Sequence, residues 1–359
     1  MEKRQRKSVW VLGAGFSRSL GGPLLSDLFS DHLKEELMIW LNSRQLQPPP
    51  YVEEMIEFYW NGRDKEAIRT YYNPRKNAAS SATIPPFRRW GNAEQFLDCL
   101  DNAVLRQDEL HDGVYPTYAY LSSRLEKLTA SLTLKDIRDT ALRWTAIECS
   151  AFLSDVDPNT ELWEPYCQWA QQIQQENVYH VVLTFNYDRV LETIPLSYFH
   201  VRKPNEDEML GRTPVYKLHG SVSWQRTANG VVLNATDELF ALSASSSEIA
   251  IATPGPTKKT MIVGLNRLWE DALDHLRTAD YIYFIGYRFP PSDSEARRRL
   301  LGAIRENRSP LRRIEIVLGP ERTSDVLRLE GLLLHTVKNP NRVRVHHLYA
   351  EDFLTTYCK

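Results

Sequence analysis

A chain of 359 residues, 42% hydrophobic and 25% charged, carries enough apolar material for one large core, or for one core with an inserted unit. Its formal net charge of −2 provides no global field to recruit nucleic acid or a membrane surface. The start, MEKRQRK, is basic without the apolar stretch of a secretory signal, and no apolar run approaches membrane-spanning length, so a cytoplasmic protein is expected.

The first predicted element lies in VWVLGAGFS, residues 9–17. A short apolar run that breaks into Gly13-Ala14-Gly15 reads as a buried strand feeding a tight turn. Two glycines there suit a backbone brought close to an anion at the start of a helix, and equally suit any tight turn. A dehydrogenase of the Rossmann type wants a third glycine where this chain has Arg18, and an acidic residue ending a second strand about 20 residues on. The corresponding stretch, 28–37, is helical in period, which disfavours hydride transfer.

From Pro23 to about Asn177 the periodicity is helical, interrupted at 48–50, in a polar region near 73–81 and at Pro85-Pro86. Segments 93–100 and 141–153 place apolar residues at i, i+3 and i+4, as an inserted helical layer would. Cys99, Cys149, Cys167 and Cys358 are scattered with no C-x-x-C pair, so they build no zinc ribbon, and a reducing compartment argues against disulfides. Strand candidates follow at 180–185, 215–218, 248–252, 281–285, 314–318 and 342–346, with helical stretches such as 265–277 and 294–305 between them. Short β-branched strands alternating with helices predict an α/β fold, a doubly wound Rossmann-like parallel sheet with an inserted helical subdomain. The expected division is a sheet domain over 1–29 and 178–359 and a helical subdomain over 30–177.

Three more polar segments sit at predicted strand ends. One strand runs into Asn186-Tyr187-Asp188, one into His219-Gly220-Ser221 and one into Gly286-Tyr287. In an open parallel sheet, ligands bind outside the carboxyl ends of the strands, so these and the glycine turn are expected around one crevice. Each also has a plain structural reading: an Asx turn or helix cap at Asn186 and Asp188, a core histidine at His219, a turn at Gly286.

GAGFS at 13–17, TFNYD at 184–188, LHGS at 218–221 with Trp224 behind it, and IGYRFPPSD at 285–293 resemble, in order and spacing, the sirtuin-like domain in its bacterial, defence-associated, NAD-hydrolysing branch. The resemblance implies that Gly13, Ala14 and Gly15 cradle the pyrophosphate of NAD with Ser17 nearby, and that Asn186 and His219 are the catalytic pair. It places Asp188 by the nicotinamide ribose or amide, and Gly286, Tyr287 and Asp293 on the adenosine side. The chain lacks the four-cysteine zinc module and the D-F-R segment of the protein-deacylating sirtuins, its corresponding residues being Gly21-Gly22-Pro23-Leu24-Leu25. No metal is therefore expected.

The residue types suit such chemistry. Nicotinamide leaves NAD⁺ as a neutral molecule, so the bond breaks without a strong general acid. The ribose must be held as oxocarbenium character develops, and water or a ribose hydroxyl must be delivered and deprotonated. An amide orients water and hydroxyls, and a histidine near neutrality serves as base. The expected function is an NAD⁺ glycohydrolase giving nicotinamide and ADP-ribose or a cyclic form. The alternatives are a zinc-free deacylase or ADP-ribosyltransferase, and a non-catalytic module that senses NAD or ADP-ribose. The resemblance further implies NAD depletion in antiviral defence, a homo-oligomer, and a HerA-type ATPase or other sensor subunit as partner.

Overall fold

The computed structural model describes residues 5–24, 26–63, 90–109, 116–195, 198–203, 206, 211–227, 232–234, 240–253, 265–290, 293–321 and 323–358. The stretch 73–81, Pro85-Pro86, the first four residues and Pro291-Ser292 of the IGYRFPPSD segment lie outside them. Its strands are β1 (Arg6–Leu12), β2 (Val178–Thr184), β3 (Phe199–Val201), β4 (Thr213–Lys217), β5 (Gly220–Arg226), β6 (Val232–Asn234), β7 (Ile249–Ile251), β8 (Tyr281–Ile285), β9 (Arg313–Val317) and β10 (Val343–His346).

Seven of these form one sheet in the order β10-β9-β8-β1-β2-β4-β3, every pair parallel. The chain builds outward from β1 in both directions, so β1 marks the point where strand order reverses. This is the predicted α/β, doubly wound, Rossmann-like architecture.

Alternation along β1 divides its side chains between two cores. Val9 and Val11 join Val181, Leu183, Ile282, Phe284, Ile314 and Ile316 under helices Asn266–Arg277, Ser294–Arg305 and Ser324–Thr336. Trp10 and Leu12 face the other way, with Val182, Val215, Tyr283 and Ile285, under helices Glu164–Gln175 and Ala350–Tyr357. There Trp10 stacks on Tyr283 at 4.0 Å between ring centroids and meets Trp169 edge-on at 5.2 Å. Such aromatic pairs add about 0.5–1.5 kcal/mol beyond the area they bury.

A third core belongs to the helices between β1 and β2: Asp31–Ser43, Val52–Gly62, Ala93–Glu109, Pro116–Glu126 and Leu134–Ala151. Ser30 caps the first of them, accepting from the Leu33 amide, and a reciprocal Thr133–Asp136 capping box starts the last. Leu37, Leu41, Met55, Phe58, Phe96, Leu100, Ile137 and Trp144 close this core. Helix Glu164–Gln175, counted with the helical layer from its period alone, lays Tyr166, Trp169 and Ile173 on the parallel sheet instead. Within the stretch 30–177 the buried residues of this core end at Ala151, and Leu242 joins it from later in the chain.

A further departure concerns 248–252, expected within the parallel sheet. β7 pairs antiparallel with β5, and β6 lies on the other side of β5, giving a separate three-stranded sheet. Its Val222, Ile249 and Ile251 pack on Ala146 of helix Leu134–Ala151, so this small sheet joins the helical body to the strand ends.

Candidate active site at the carboxyl ends of the strands

Leu12 of β1 pairs with Thr184 of β2 and Ile285 of β8, and Thr184 pairs with Lys217 of β4. The four strands therefore finish in register. The glycine turn, Asn186, His219 and Gly286 all leave the sheet at one edge, beside the strand where the order reverses.

At that edge two turns cross in direct contact. The Gly13 amide donates to the Ile285 carbonyl (2.9 Å) and the Gly15 amide to the Gly286 carbonyl (3.3 Å). A Cβ on Gly13 would stand 2.6 Å from Tyr287 Cα, and one on Gly15 2.8 Å from Gly286 Cα. Gly286 itself has φ +68°, and a side chain there would meet the Phe16 amide nitrogen at 2.4 Å. These close approaches fit the tight-turn reading of the glycines, and the Gly13 and Gly15 amides are bonded to the neighbouring turn. The chain then continues as 3₁₀ turns, Ala14–Phe16 and Arg18–Leu20, so no α-helix directs its dipole at the turn. Ser17, 2% exposed, donates from Oγ to the Ala14 carbonyl at 3.3 Å and braces the turn from within.

Asn186 is buried against this turn. Its backbone amide donates to Thr184 Oγ1 (3.1 Å), and its Nδ2 donates to the Gly13 carbonyl (3.1 Å) and to Ser17 Oγ (3.4 Å). With Nδ2 committed, Oδ1 is the end of the amide left to accept from a ligand.

His219 ends the β4 run and is 4% exposed. Its ring meets Phe185 edge-on at 4.7 Å, and its Nε2 stands 3.4 Å from Asp293 Oδ2. That same carboxylate oxygen accepts the Tyr287 hydroxyl at 2.7 Å. Tyr287 in turn stacks flat on Phe185, 4.0 Å between centroids and 8° between planes. The structure thus places Asp293 beside the His219 ring and Tyr287 on Asp293 and Phe185. Burial, reinforced by the Asp293 charge, pushes the Tyr287 hydroxyl well up from its ordinary range, so it stays protonated and donates.

Asp188 is half-buried, its Oδ1 accepting the Val190 amide at 3.1 Å. Burial raises its carboxyl, and the Lys217 ammonium and the hydrogen bond from the Val190 amide pull it back. Lys217 is held tightly: it donates to the Asp188 carbonyl (2.5 Å) and to Ser221 Oγ (2.9 Å), and pairs with Glu192 at 2.7 Å. Through Ser17 and Asp188 the glycine turn, the TFNYD segment and the HGS segment become one hydrogen-bonded assembly.

Three contributors escaped the sequence reading. Phe185 separates Tyr287 from His219 and fixes both rings. Lys217 organises Asp188 and Ser221, and its signal was a lysine inside an apolar strand, a charge that must find partners. Trp269 donates from Nε1 to the Leu218 carbonyl at 3.1 Å and holds the residue before the histidine. Gly220, at φ +81°, reverses the chain from β4 into β5, and a Cβ there would strike the Ala250 carbonyl oxygen at 2.0 Å. That turn fixes the histidine's position, since its carbonyl accepts the Ala252 amide at 2.8 Å.

No protein-family model and no curated protein matches the chain. Among solved structures it is similar to one described as "Structural Basis for the Mechanism and Regulation of Sir2 Enzymes", at 12% identity and a TM-score of 0.37, over 99% of this chain and 91% of that one. It is similar also to a complex described as "Sir2-p53 peptide-NAD+", at 12% identity and a TM-score of 0.38, over 98% of this chain and 92% of that one. A third is "Structure of Sir2Tm bound to a propionylated peptide", at 12% identity and a TM-score of 0.37, with coverage of 98% and 92%.

Proposed function

We propose that this chain is an NAD⁺ glycohydrolase, breaking the bond between nicotinamide and ribose to give ADP-ribose or a cyclised form. The observation that carries the reading is the juxtaposition of Asp293, His219 and the anchored Asn186 at one edge of the sheet. A carboxylate facing Nε2 favours the proton on that nitrogen and leaves Nδ1 basic, the arrangement a positioned histidine base requires. Tyr287 locks the carboxylate, and Phe185 packs between the tyrosine and the imidazole.

In this reading Asn186 Oδ1 accepts from a ribose hydroxyl or an incoming water while its Nδ2 stays on Gly13. As the neutral nicotinamide departs, positive character grows on the ribose. The half-buried carboxylate of Asp188 supplies negative potential on that side. His219 takes the proton of the attacking oxygen. With the two turn amides already bonded, Ser17 and Ala14 are the turn residues we assign to the pyrophosphate.

An enzyme that consumes a central cofactor must be gated. We therefore carry the resemblance further, to NAD depletion in antiviral defence by a cytoplasmic homo-oligomer under the control of a HerA-type ATPase or other sensor subunit. The test is incubation of the full chain with NAD⁺, alone and with an acylated peptide, followed by mass identification of products. Nicotinamide with ADP-ribose or its cyclic form, independent of peptide, supports the reading; release only with peptide replaces it by a deacylase or transferase, and intact NAD⁺ in an assembled complex by a sensing module.

A further inference from the structure

At the opposite edge, where the parallel strands begin, a cavity of about 650 Å³ opens between the start of β1, the residues after β3 and helix Asn266–Arg277. Among the described residues, Lys7, Arg202, Arg267, Arg277 and Arg308 are in its wall, together with the carboxylates of Asp271 and Asp274. Its volume lies within the range of small-molecule sites.

The cations are held in place by a chain of hydrogen bonds. Lys7 Nζ donates to Thr278 Oγ1 (2.9 Å) and to His275 Nδ1 (3.2 Å). An ammonium has no lone pair, so Nδ1 is the acceptor, and His275 Nε2–H donates to the hydroxyl of the buried Tyr216 at 2.9 Å. The same hydroxyl accepts from Arg202 at 2.9 Å, and Arg202 pairs with Asp271 at 3.2 Å. Asp274 pairs with Arg277 at 2.8 Å, and Arg277 also reaches Glu306 at 3.1 Å. Asp280, just before β8, accepts the Lys7 backbone amide.

Each wall carboxylate is thus engaged by an arginine, and among the described residues the wall sets five cationic side chains beside two carboxylates, with Glu306 and Asp280 bonded at its border. A recess with more cations than carboxylates in its wall favours an anion. Guanidinium forks and an ammonium are the recognition chemistry of phosphate oxygens. We infer that this cavity is a second binding site, for a phosphorylated small molecule of nucleotide size. Lys7 and Gly13 lie at opposite ends of β1, about 20 Å apart at the rise of an extended strand, so its occupant does not touch the candidate active site.

The test is calorimetric titration of the full chain with inorganic pyrophosphate, independent of any NAD⁺ turnover. Arg267 and Arg308 are exposed, so the double reversal Arg267→Glu, Arg308→Glu keeps the fold, which circular dichroism checks. It is expected to weaken pyrophosphate by at least about tenfold, the cost of one lost ionic contact. Lys7→Met, deeper in the wall, is expected to do the same, while Asn186→Ala leaves pyrophosphate binding intact. Absence of binding to the parent chain, or binding unchanged by the double reversal, overturns the inference. So does binding lost in Asn186→Ala, which would put the pyrophosphate at the glycine turn.

Discussion

Asp293 Oδ2 stands 3.4 Å from His219 Nε2 and at the same time accepts the Tyr287 hydroxyl at 2.7 Å. All three side chains are buried, so the carboxylate's orientation is set by the tyrosine and that of the imidazole by the carboxylate and Phe185. In the proposed reading this arrangement makes Asp293 a positioning residue for the histidine.

Asp293→Asn keeps an acceptor for Tyr287 and removes the charge facing the imidazole. Its expected effect is a fall in kcat of about 10- to 100-fold with little change in NAD⁺ affinity, as for other carboxylates that orient a functional histidine. Steady-state kinetics beside calorimetric binding separates the two quantities. Lost affinity at unchanged kcat would return Asp293 to the adenosine side.

Gly15→Ala places a methyl group 2.8 Å from Gly286 Cα, and backbone cannot step aside cheaply. Overpacking of this kind costs about 1–3 kcal/mol. Gly286→Ala adds a left-handed φ to a tighter contact and is expected to cost more. Denaturant unfolding of both variants checks the order; an unchanged midpoint for Gly15→Ala would mean that the turns need not touch.

Glu148 sits inside the helical body with Oε1 accepting the Phe29 amide and Trp144 Nε1–H, and burial pushes its carboxyl from about 4.5 up to about 8. The folded state therefore holds a proton that the unfolded chain releases. Stability is full below pH 4.5, declines as pH rises toward 8, and is flat above. The slope in that window is at most about 1.4 kcal/mol per pH unit. Glu148→Gln preserves the acceptor without the titration, so its stability is expected to vary less between pH 5 and 8. Parallel slopes for the two proteins in urea unfolding would show Glu148 ionised in the folded state.

The continuous apolar run of β1 and the match of β2, β4 and β8 to it made the sheet and its carboxyl edge legible, because parallel strands buried on both faces advertise themselves in this way. The polar residues at their ends were legible for the same reason. The pairing of β7 was not, since a short apolar run reads alike in a parallel or an antiparallel sheet and only the reversal at Gly220 decides. Helix Glu164–Gln175 was legible as a helix but not as a cover for the sheet, because a period of 3.6 shows which face is apolar and not which core receives it. The role of Gly13 and Gly15 was hidden for a related reason: glycine in a turn records a close approach without saying to what.

The most direct measurement of the central claim is nicotinamide release from NAD⁺ by the parent chain and by Asn186→Ala and His219→Ala, each checked for folding. The parent is expected to release nicotinamide, and each variant to lose about 10²–10⁴ in rate, the usual contribution of a positioned acid–base group. Folded variants that turn over NAD⁺ at the parent's rate would contradict the account.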